Sequence, residues 1–283
     1  MSAIDGDLTR GERTVAYRDY GPTDATPVLW CHGGPGSRFE PASQAPAATA
    51  AGYRFVGIDR PGYGRSTPWP GRSIADWVPD GLAVADALGI DRFTAIGVST
   101  GGAYALALAS AAPERVTGVV ACCALTDMRW SEGRASMDGE LTHGLWDAPT
   151  RDEAMAIAAR LFGEDGSGML DGRAGGNLAA PDLAFLADPE FLAPMAEGFP
   201  AMFAQGVTGY TDDRIADGVG WTSFGVDLVR CPVVVLHGEL DGLCPVVQAH
   251  HTAKVVPNAR LDIRPEHGHL SIMSELVGAL GSL

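Results

Sequence analysis

The chain has 283 residues, of which 46% are hydrophobic and 19% charged, and this ordinary globular composition excludes a disordered, collagen-like or coiled-coil protein. Its net charge of −15 makes binding to the phosphate backbone of nucleic acids or to anionic lipid unfavourable. The five cysteines, an odd number without a paired metal-ligand spacing, favour a reduced, cytoplasmic protein without a structural metal.

In chain order, the first residues are polar and predict no secretion signal, and no apolar run elsewhere is long enough to predict a membrane span. Short apolar runs then alternate with longer helical patterns. The predicted strands are Leu8–Arg10, Arg13–Asp19, Pro27–Cys31, Arg54–Ile58, Phe93–Val98 and Val116–Leu125, and the predicted helices are Ser73–Leu88 and Gly101–Ala111. This alternation predicts an α/β fold with a parallel sheet covered on both faces.

The alternation breaks between residues 126 and 225, where helical fragments are separated by Gly and Pro. This stretch, called the insertion below, holds 17 Asp and Glu against six Arg and no Lys. The α/β pattern resumes with a strand at Val233–Leu236, a helix near Val246–Val256, a strand near Arg260–Ile263 and a final helix from Leu270. We therefore predict a core of residues 1–125 and 226–283, interrupted by a helical cap, or lid, of residues 126–225.

A candidate nucleophile, Ser99, lies between the strand at Phe93–Val98 and the helix that follows. The sequence GVSTG at residues 97–101 has the G-x-S-x-G pattern, in which a sharp turn exposes a serine hydroxyl at the end of a strand. A Cβ at Gly97 or Gly101 would collide where strand and helix cross. The alternative is a turn without chemistry, but the strand and the helix around it favour a nucleophile.

A second glycine-rich segment, HGGPG at residues 32–36, directly follows the strand Pro27–Cys31. Consecutive glycines let backbone N–H groups face a substrate oxygen, which acyl transfer requires. We predict that the amides of Gly34 and Thr100 form an oxyanion hole with two donors. Taken alone, the segment is also compatible with a plain glycine turn.

A serine hydroxyl needs a general base, because it is a weak nucleophile at neutral pH. Of the seven histidines, His269 lies between the last predicted strand and the final helix, where it can reach the serine. We predict His269 as the base, with His267 as the second candidate. Both are compatible with solvated loop histidines.

The base in turn needs a carboxylate that orients it. Asp241 follows the strand Val233–Leu236 and is our predicted acid. Asp127, just beyond the strand that begins at Val116, is the competing candidate, and Glu239 is a weaker one. The chain order of serine, acid and histidine is kept with any of them.

Five segments, HGGPG, DRPGYGRS, GVSTGG, HGELDGLCP and EHGHLS, resemble in this order the α/β-hydrolase superfamily, over essentially the whole chain outside the insertion. The resemblance implies an eight-stranded, mostly parallel sheet, a helical cap over the active site, and a catalytic triad of Ser99, Asp241 and His269. The HGGPG form is similar to that of the prolyl aminopeptidase branch, from which this chain departs at Thr100 and at Arg60-Pro61. Superfamily members with an aspartate nucleophile, such as haloalkane dehalogenases and epoxide hydrolases, differ at Ser99.

These residues predict a cofactor-free serine hydrolase that cleaves a small-molecule ester or lactone through an acyl-enzyme. A prolyl-type aminopeptidase is the first alternative, because an acidic cap could bind the free amine of a substrate. A non-hydrolytic ligand-binding protein or a lyase on the same fold is the second. We expect the charges of the insertion to form mainly a solvated face, and we expect no metal, no nucleic acid and no membrane as partners.

Overall fold

The computed structural model describes residues 3–137, 140–166, 168 and 177–283. The strands are β1 (Ile4–Arg10), β2 (Arg13–Tyr20), β3 (Thr26–Cys31), β4 (Tyr53–Ile58), β5 (Phe93–Val98), β6 (Val116–Cys122), β7 (Ala204–Val207, outside the sheet), β8 (Val233–Gly238) and β9 (Ala259–Arg264). Eight of them form a central sheet in the order β1-β2-β4-β3-β5-β6-β8-β9. β2 is antiparallel to its neighbours β1 and β4, and all other neighbours are parallel. The predicted mostly parallel eight-stranded sheet is confirmed.

Helices flank this sheet and also make up most of the insertion. The α-helices outside the insertion are Ala45–Ala50, Val78–Ala87, Gly101–Ala111, Val247–Val255 and Leu276–Leu280. Those inside it are Ser131–Ser136, Glu140–Trp146, Arg151–Phe162, Ala180–Ala187, Pro189–Leu192, Gly198–Met202 and Thr208–Gly218. Short 3₁₀ helices lie at Glu40–Ser43, Ala75–Trp77, Val226–Leu228 and Ser271–Glu275. Within the described residues, no helix combines the length and the apolar character needed to cross a bilayer.

The centre of the sheet is buried on both faces, as parallel strands between two helical layers must be. Every residue of β5 and β8 is buried, and one hydrophobic cluster lies on each face of the sheet. The helix Gly101–Ala111 packs directly against β5 and β6. The carboxyl ends of β5, β6, β8 and β9 therefore come together at one edge of the sheet, and the residues singled out in the sequence follow these ends.

Several predicted element ends differ from the structure. The first strand begins at Ile4 instead of Leu8, and the helix predicted from Ser73 becomes α-helical at Val78. The strand predicted to run to Leu125 ends at Cys122, because Cys123 has a φ of 42°, in the left-handed region that no strand residue adopts. The final helix, predicted from Leu270, begins as a 3₁₀ helix and becomes α-helical at Leu276. The first two predicted strands, Leu8–Arg10 and Arg13–Asp19, are present as parts of β1 and β2, which form an opening hairpin. Residues 138–139, 167 and 169–176 of the fragmented insertion lie outside the described residues.

The expectation that the acidic residues of the insertion form a solvated face is wrong for some of them. Among the described residues of the insertion, four carboxylates are buried: Asp182, Asp212, Asp213 and Asp217. Asp213, on the helix Thr208–Gly218, accepts hydrogen bonds from Arg60 at 2.7 Å and from Arg72 at 2.5 Å, and both arginines are fully buried. Buried charges persist in proteins when they are paired in this way. These ion pairs attach this helix of the insertion to the loop that follows β4.

Candidate active site

Ser99 occupies the sharp turn between β5 and the helix Gly101–Ala111. Its φ of 52° lies in the left-handed region, and its backbone N–H donates to the Cys122 carbonyl at 2.9 Å. A Cβ at Gly97 would lie 2.6 Å from the Cα of Gly102, so this close crossing requires glycine, as the sequence predicts. The side chain of Ser99 is half-buried, whereas its neighbours in β5 are buried. The turn therefore presents a hydroxyl at the carboxyl edge of the sheet.

Asp241 and His269 meet beyond the ends of β8 and β9. Nδ1 of His269 lies 2.8 Å from Oδ2 of Asp241, and both side chains are buried. The other oxygen of Asp241, Oδ1, accepts hydrogen bonds from the backbone N–H groups of Leu243 at 2.9 Å and Cys244 at 2.7 Å. These donors fix the carboxylate, which in turn holds a proton on Nδ1 and leaves Nε2 of the neutral imidazole free to accept one.

Burial and mutual attraction shift the pKa values of both groups. Burial disfavours the imidazolium, but the Asp241 carboxylate outweighs it, and the pKa of His269 lies well above 6.5. For Asp241, burial would raise the pKa, but His269 and His237 hold it well below its ordinary value. Asp241 is therefore ionised at neutral pH, and His269 loses its proton only at a higher pH than a free histidine does.

Cys123 lies beside this pair, a position that the sequence did not indicate because Cys123 falls inside the predicted strand Val116–Leu125. Its Sγ lies within 4.8 Å of a ring nitrogen of His269 and of a carboxylate oxygen of Asp241. The side chain is fully buried, and burial raises the pKa of the thiol well above its ordinary value. Cys123 is therefore a neutral thiol at pH 7. Ser99 and His269 are not joined by a hydrogen bond within the described residues, a contact that often tightens only when substrate binds.

Cys123, Asp241 and His269 are also the group of described residues whose donor atoms could hold a metal ion. A thiol, an imidazole and a carboxylate form a donor set that zinc accepts. Both oxygens of Asp241 already accept hydrogen bonds, Oδ1 from two backbone N–H groups and Oδ2 from His269. Holding an ion would break these bonds, so the arrangement fits the orientation of His269 better than it fits a cation.

The HGGPG loop lies against the turn that carries Ser99. A Cβ at Gly33 would lie 3.8 Å from the Cβ of Ser99, and one at Gly34 would lie 2.9 Å from Oγ1 of Thr100. Neither the Gly34 amide nor the Thr100 amide donates a hydrogen bond to another described residue. Two such N–H groups close to the half-buried Ser99 fit the predicted oxyanion hole.

Glu40, which the sequence did not indicate as a residue of the site, holds this loop in place. Its Oε1 accepts a hydrogen bond from the Gly33 N–H at 3.0 Å, and its Oε2 accepts one from Nε1 of Trp30 at 2.6 Å. Burial raises the pKa of Glu40 to about 7, although these two donors and the charges of Arg60 and His269 act in the opposite direction. Glu40 thus anchors the peptide that precedes Gly34.

Residues of the insertion contact the same loops from the other side. Arg214 donates hydrogen bonds to Oγ1 of Thr100 and to Asp217, its neighbour on the helix Thr208–Gly218. Asp182 accepts a hydrogen bond from the His269 N–H at 3.0 Å. None of these residues could be found from the sequence, because the insertion has no regular hydrophobic period to orient its side chains.

The other candidates from the sequence lie elsewhere. Asp127 accepts hydrogen bonds from Arg129 at 2.5 Å and from the Trp221 N–H at 3.1 Å. Nε2 of His267 lies 3.8 Å from Glu275, and Glu239 is exposed. The geometry thus favours Asp241 and His269 as the acid and the base.

Comparisons with known proteins agree with the fold. A family model described as the alpha/beta hydrolase fold matches residues 26–276. A proline iminopeptidase of Xylella fastidiosa (strain 9a5c) is 29% identical over 93% of this chain and 90% of its own length. A 2-hydroxymuconate semialdehyde hydrolase of Pseudomonas putida is 30% identical over 93% of this chain and 86% of its own length. The solved enol-lactonase of Burkholderia xenovorans LB400 matches with a TM-score of 0.74 and 19% identity, over 98% of both chains.

Proposed function

Since this chain belongs to the alpha/beta hydrolase fold family, we propose that it is a serine hydrolase that cleaves small esters or lactones through an acyl-enzyme. Ser99 is the nucleophile, His269 the general base and Asp241 the acid that orients it. The observation that supports this proposal most is the 2.8 Å contact between Nδ1 of His269 and Asp241, at the sheet edge that also carries the half-buried Ser99.

The proposed reaction has two half-reactions. Nε2 of His269 takes the proton of the Ser99 hydroxyl while Oγ attacks the substrate carbonyl, and Asp241 stabilises the imidazolium. The tetrahedral intermediate collapses, and His269 gives its proton to the leaving alcohol. Water, deprotonated by His269, then attacks the acyl-enzyme and releases the acid, which restores the Ser99 hydroxyl.

The negative charge that develops on the carbonyl oxygen is stabilised by the amides of Gly34 and Thr100. Loss of one such donor typically costs about 2.7–4 kcal/mol of transition-state stabilisation. The donors cost no reorganisation during the reaction because the loop is already fixed, by Glu40 at Gly33 and by Arg214 at the Thr100 side chain.

An aminopeptidase is the second candidate, because a proline iminopeptidase is among the relatives. That activity requires a carboxylate that is free to bind the substrate amine. The buried aspartates of the helix Thr208–Gly218 are already bound by arginines: Asp212 by Arg151, Asp213 by Arg60 and Arg72, and Asp217 by Arg214. This pairing favours a neutral ester or lactone over an amine as the substrate.

We also propose how the chain is organised and where in the cell it is located. Residues 126–225 act as a cap over the site carried by the core of residues 1–125 and 226–283. The protein is cytoplasmic, in keeping with its five cysteines, which are all buried and free.

A panel of p-nitrophenyl esters, lactones and amino-acyl anilides tests the proposed function. We expect turnover of short esters or lactones, and a fall in kcat of about 10⁶ in Ser99→Ala, because removal of a triad serine abolishes the covalent route. Ser282→Ala, at an exposed serine near the last residue, is the matched control and keeps wild-type activity. Wild-type turnover in Ser99→Ala would contradict the proposal, and cleavage of proline p-nitroanilide but not of its N-acetyl derivative would favour the aminopeptidase.

A further inference from the structure

One carboxylate of the insertion, Asp182, is enclosed by the loop that carries the proposed base. Asp182 lies in the first turn of the helix Ala180–Ala187 and has no solvent exposure. Its place in the sequence is 87 residues from His269, and it belongs to the insertion rather than to the sheet. Full burial of a carboxylate costs free energy unless several hydrogen-bond donors satisfy it, so the partners of Asp182 indicate its role.

The partners of Asp182 are the Ala179 N–H of its own helix at 3.3 Å, three consecutive backbone N–H groups of the His269 loop and one hydroxyl. Oδ2 accepts a hydrogen bond from the His269 N–H at 3.0 Å. Oδ1 accepts from the N–H groups of Leu270 and Ser271, each at 2.9 Å, and from Oγ of Ser271 at 2.9 Å. The backbone of residues 269–271 therefore wraps around a single carboxylate, and three peptide planes are oriented by it.

Gly268 allows the loop of His269 to approach the Asp182 carboxylate this closely. A Cβ at Gly268 would lie 2.6 Å from Cγ of Asp182, so any larger residue would push the carboxylate out. The Gly268 N–H donates to Oγ of Ser271 at 2.9 Å, which extends the network to the residue before His269. The loop and the carboxylate are thus fitted to each other.

We propose that Asp182 is a positioning residue, which sets the orientation of the His269 imidazole by holding the backbone of residues 269–271. The inference rests on the proposed function of His269. The imidazole is then fixed by two carboxylates, by Asp241 from the core at Nδ1 and by Asp182 from the insertion at the backbone. Docking of the helix Ala180–Ala187 completes the base, so the insertion takes part in catalysis without touching the reacting atoms.

A double-mutant cycle tests whether Asp182 acts through His269. The variants are Asp182→Asn, His269→Ala and the pair, assayed with a p-nitrophenyl ester well below the melting temperature of the least stable one. In the wild-type background we expect Asp182→Asn to lower kcat about 10- to 100-fold, with KM changed less than about threefold, because a misplaced base slows chemistry rather than binding. In the His269→Ala background the same substitution is expected to change kcat less than about twofold.

A purely structural role predicts a different pattern. It would lower kcat by the same factor in both backgrounds, or leave kcat unchanged once the folded fraction is taken into account, and either result would overturn the inference. Asp188→Ala is the matched control, since Asp188 caps the next helix of the insertion by accepting the Glu190 N–H at 2.8 Å from an exposed position. It is expected to leave kcat unchanged.

Two further measurements keep the test decisive. If Asp182→Asn does not fold, Ser271→Ala removes one of the five hydrogen bonds to Asp182, together with the acceptor of the Gly268 N–H, and should lower kcat about threefold in the wild-type background only. Loss in both backgrounds would overturn the inference. If His269→Ala itself keeps wild-type activity, the proposed function fails, which is distinguishable from a failure of Asp182 alone.

Discussion

The loops of Ser99 and His269, the proposed nucleophile and base, are held by different parts of the molecule. The Ser99 turn is held by backbone atoms of the sheet and of the helix that follows it, including the Cys122 carbonyl at 2.9 Å. The His269 loop receives its backbone support from Asp182 of the insertion, with Asp241 of the core fixing only the ring. The nucleophile turn is therefore held mainly by the core, with a contact from Arg214 of the insertion to the neighbouring Thr100, whereas the base depends on the docking of the insertion.

The two loops therefore differ in how firmly they are held. A strand-to-helix turn is rigid because it is part of the main hydrogen-bonded framework, so the serine stays in place whatever covers it. A loop that is held by one buried carboxylate changes if that carboxylate moves. Perturbation of the insertion should therefore displace His269 before it displaces Ser99.

The largest effect after loss of the serine is expected from the core side of the base. Asp241→Asn keeps the shape of the side chain but removes the charge that stabilises the imidazolium, and kcat should fall about 10⁴-fold. In the wild type, kcat/KM rises with pH as His269 loses its proton, with a midpoint above 6.5, because Asp241 raises the pKa of His269. In Asp241→Asn this midpoint should move to lower pH. A pH–rate profile measures both effects, and an unchanged midpoint would contradict the pairing.

A smaller effect tests a contact by which the insertion reaches the nucleophile side. Thr100→Val keeps the size of the side chain against Gly34 but removes the oxygen that accepts a hydrogen bond from Arg214. We expect kcat to fall about tenfold, because the amides of the oxyanion hole are less firmly held, while KM changes little. Thr100→Ser, which keeps the oxygen, is the control. Equal activity of the two variants would show that this contact does not support the site.

The smallest effect is expected at Glu40, which anchors the oxyanion loop from within the core, and it is an effect on stability. Its folded pKa of about 7 lies above that of an exposed glutamate, because burial disfavours the charge; Arg60 and His269 are the cations that face it. Stability from this group is therefore present at pH 4 and is lost as the pH rises to about 7.

The variant Glu40→Gln removes this titration but still offers an oxygen to the Gly33 N–H. Its melting temperature relative to the wild type should be a few degrees higher at pH 8 than at pH 4.5. Calorimetry at the two pH values measures this difference. A constant difference would show that Glu40 titrates normally.

The sequence was sufficient wherever the pattern is local. The runs that became β5 and β8, the glycines around Ser99 and the opening hairpin could be predicted because a strand, a turn and a close crossing each need particular residues within a few positions. It failed at Cys123, whose left-handed φ of 42° ends β6 within an apolar run that reads as a continuous strand.

Contacts across long separations could not be predicted for a different reason. Asp182 and Arg214 look like ordinary charged residues of an acidic insertion, and their burial depends on loops 87 and 114 residues away in the chain. No periodicity in the insertion shows which of its carboxylates turn inward. Charge alone therefore predicted a solvated face where the structure has buried partners of the site.

The assignment of Ser99 as the nucleophile is tested by locating the adduct that a fluorophosphonate probe forms. We expect one adduct per chain, on the peptide that contains Ser99, with an unmodified thiol at Cys123 and unchanged labelling in Cys123→Ala. Labelling on the Cys123 peptide, on another serine, or none at all in the folded protein would contradict it.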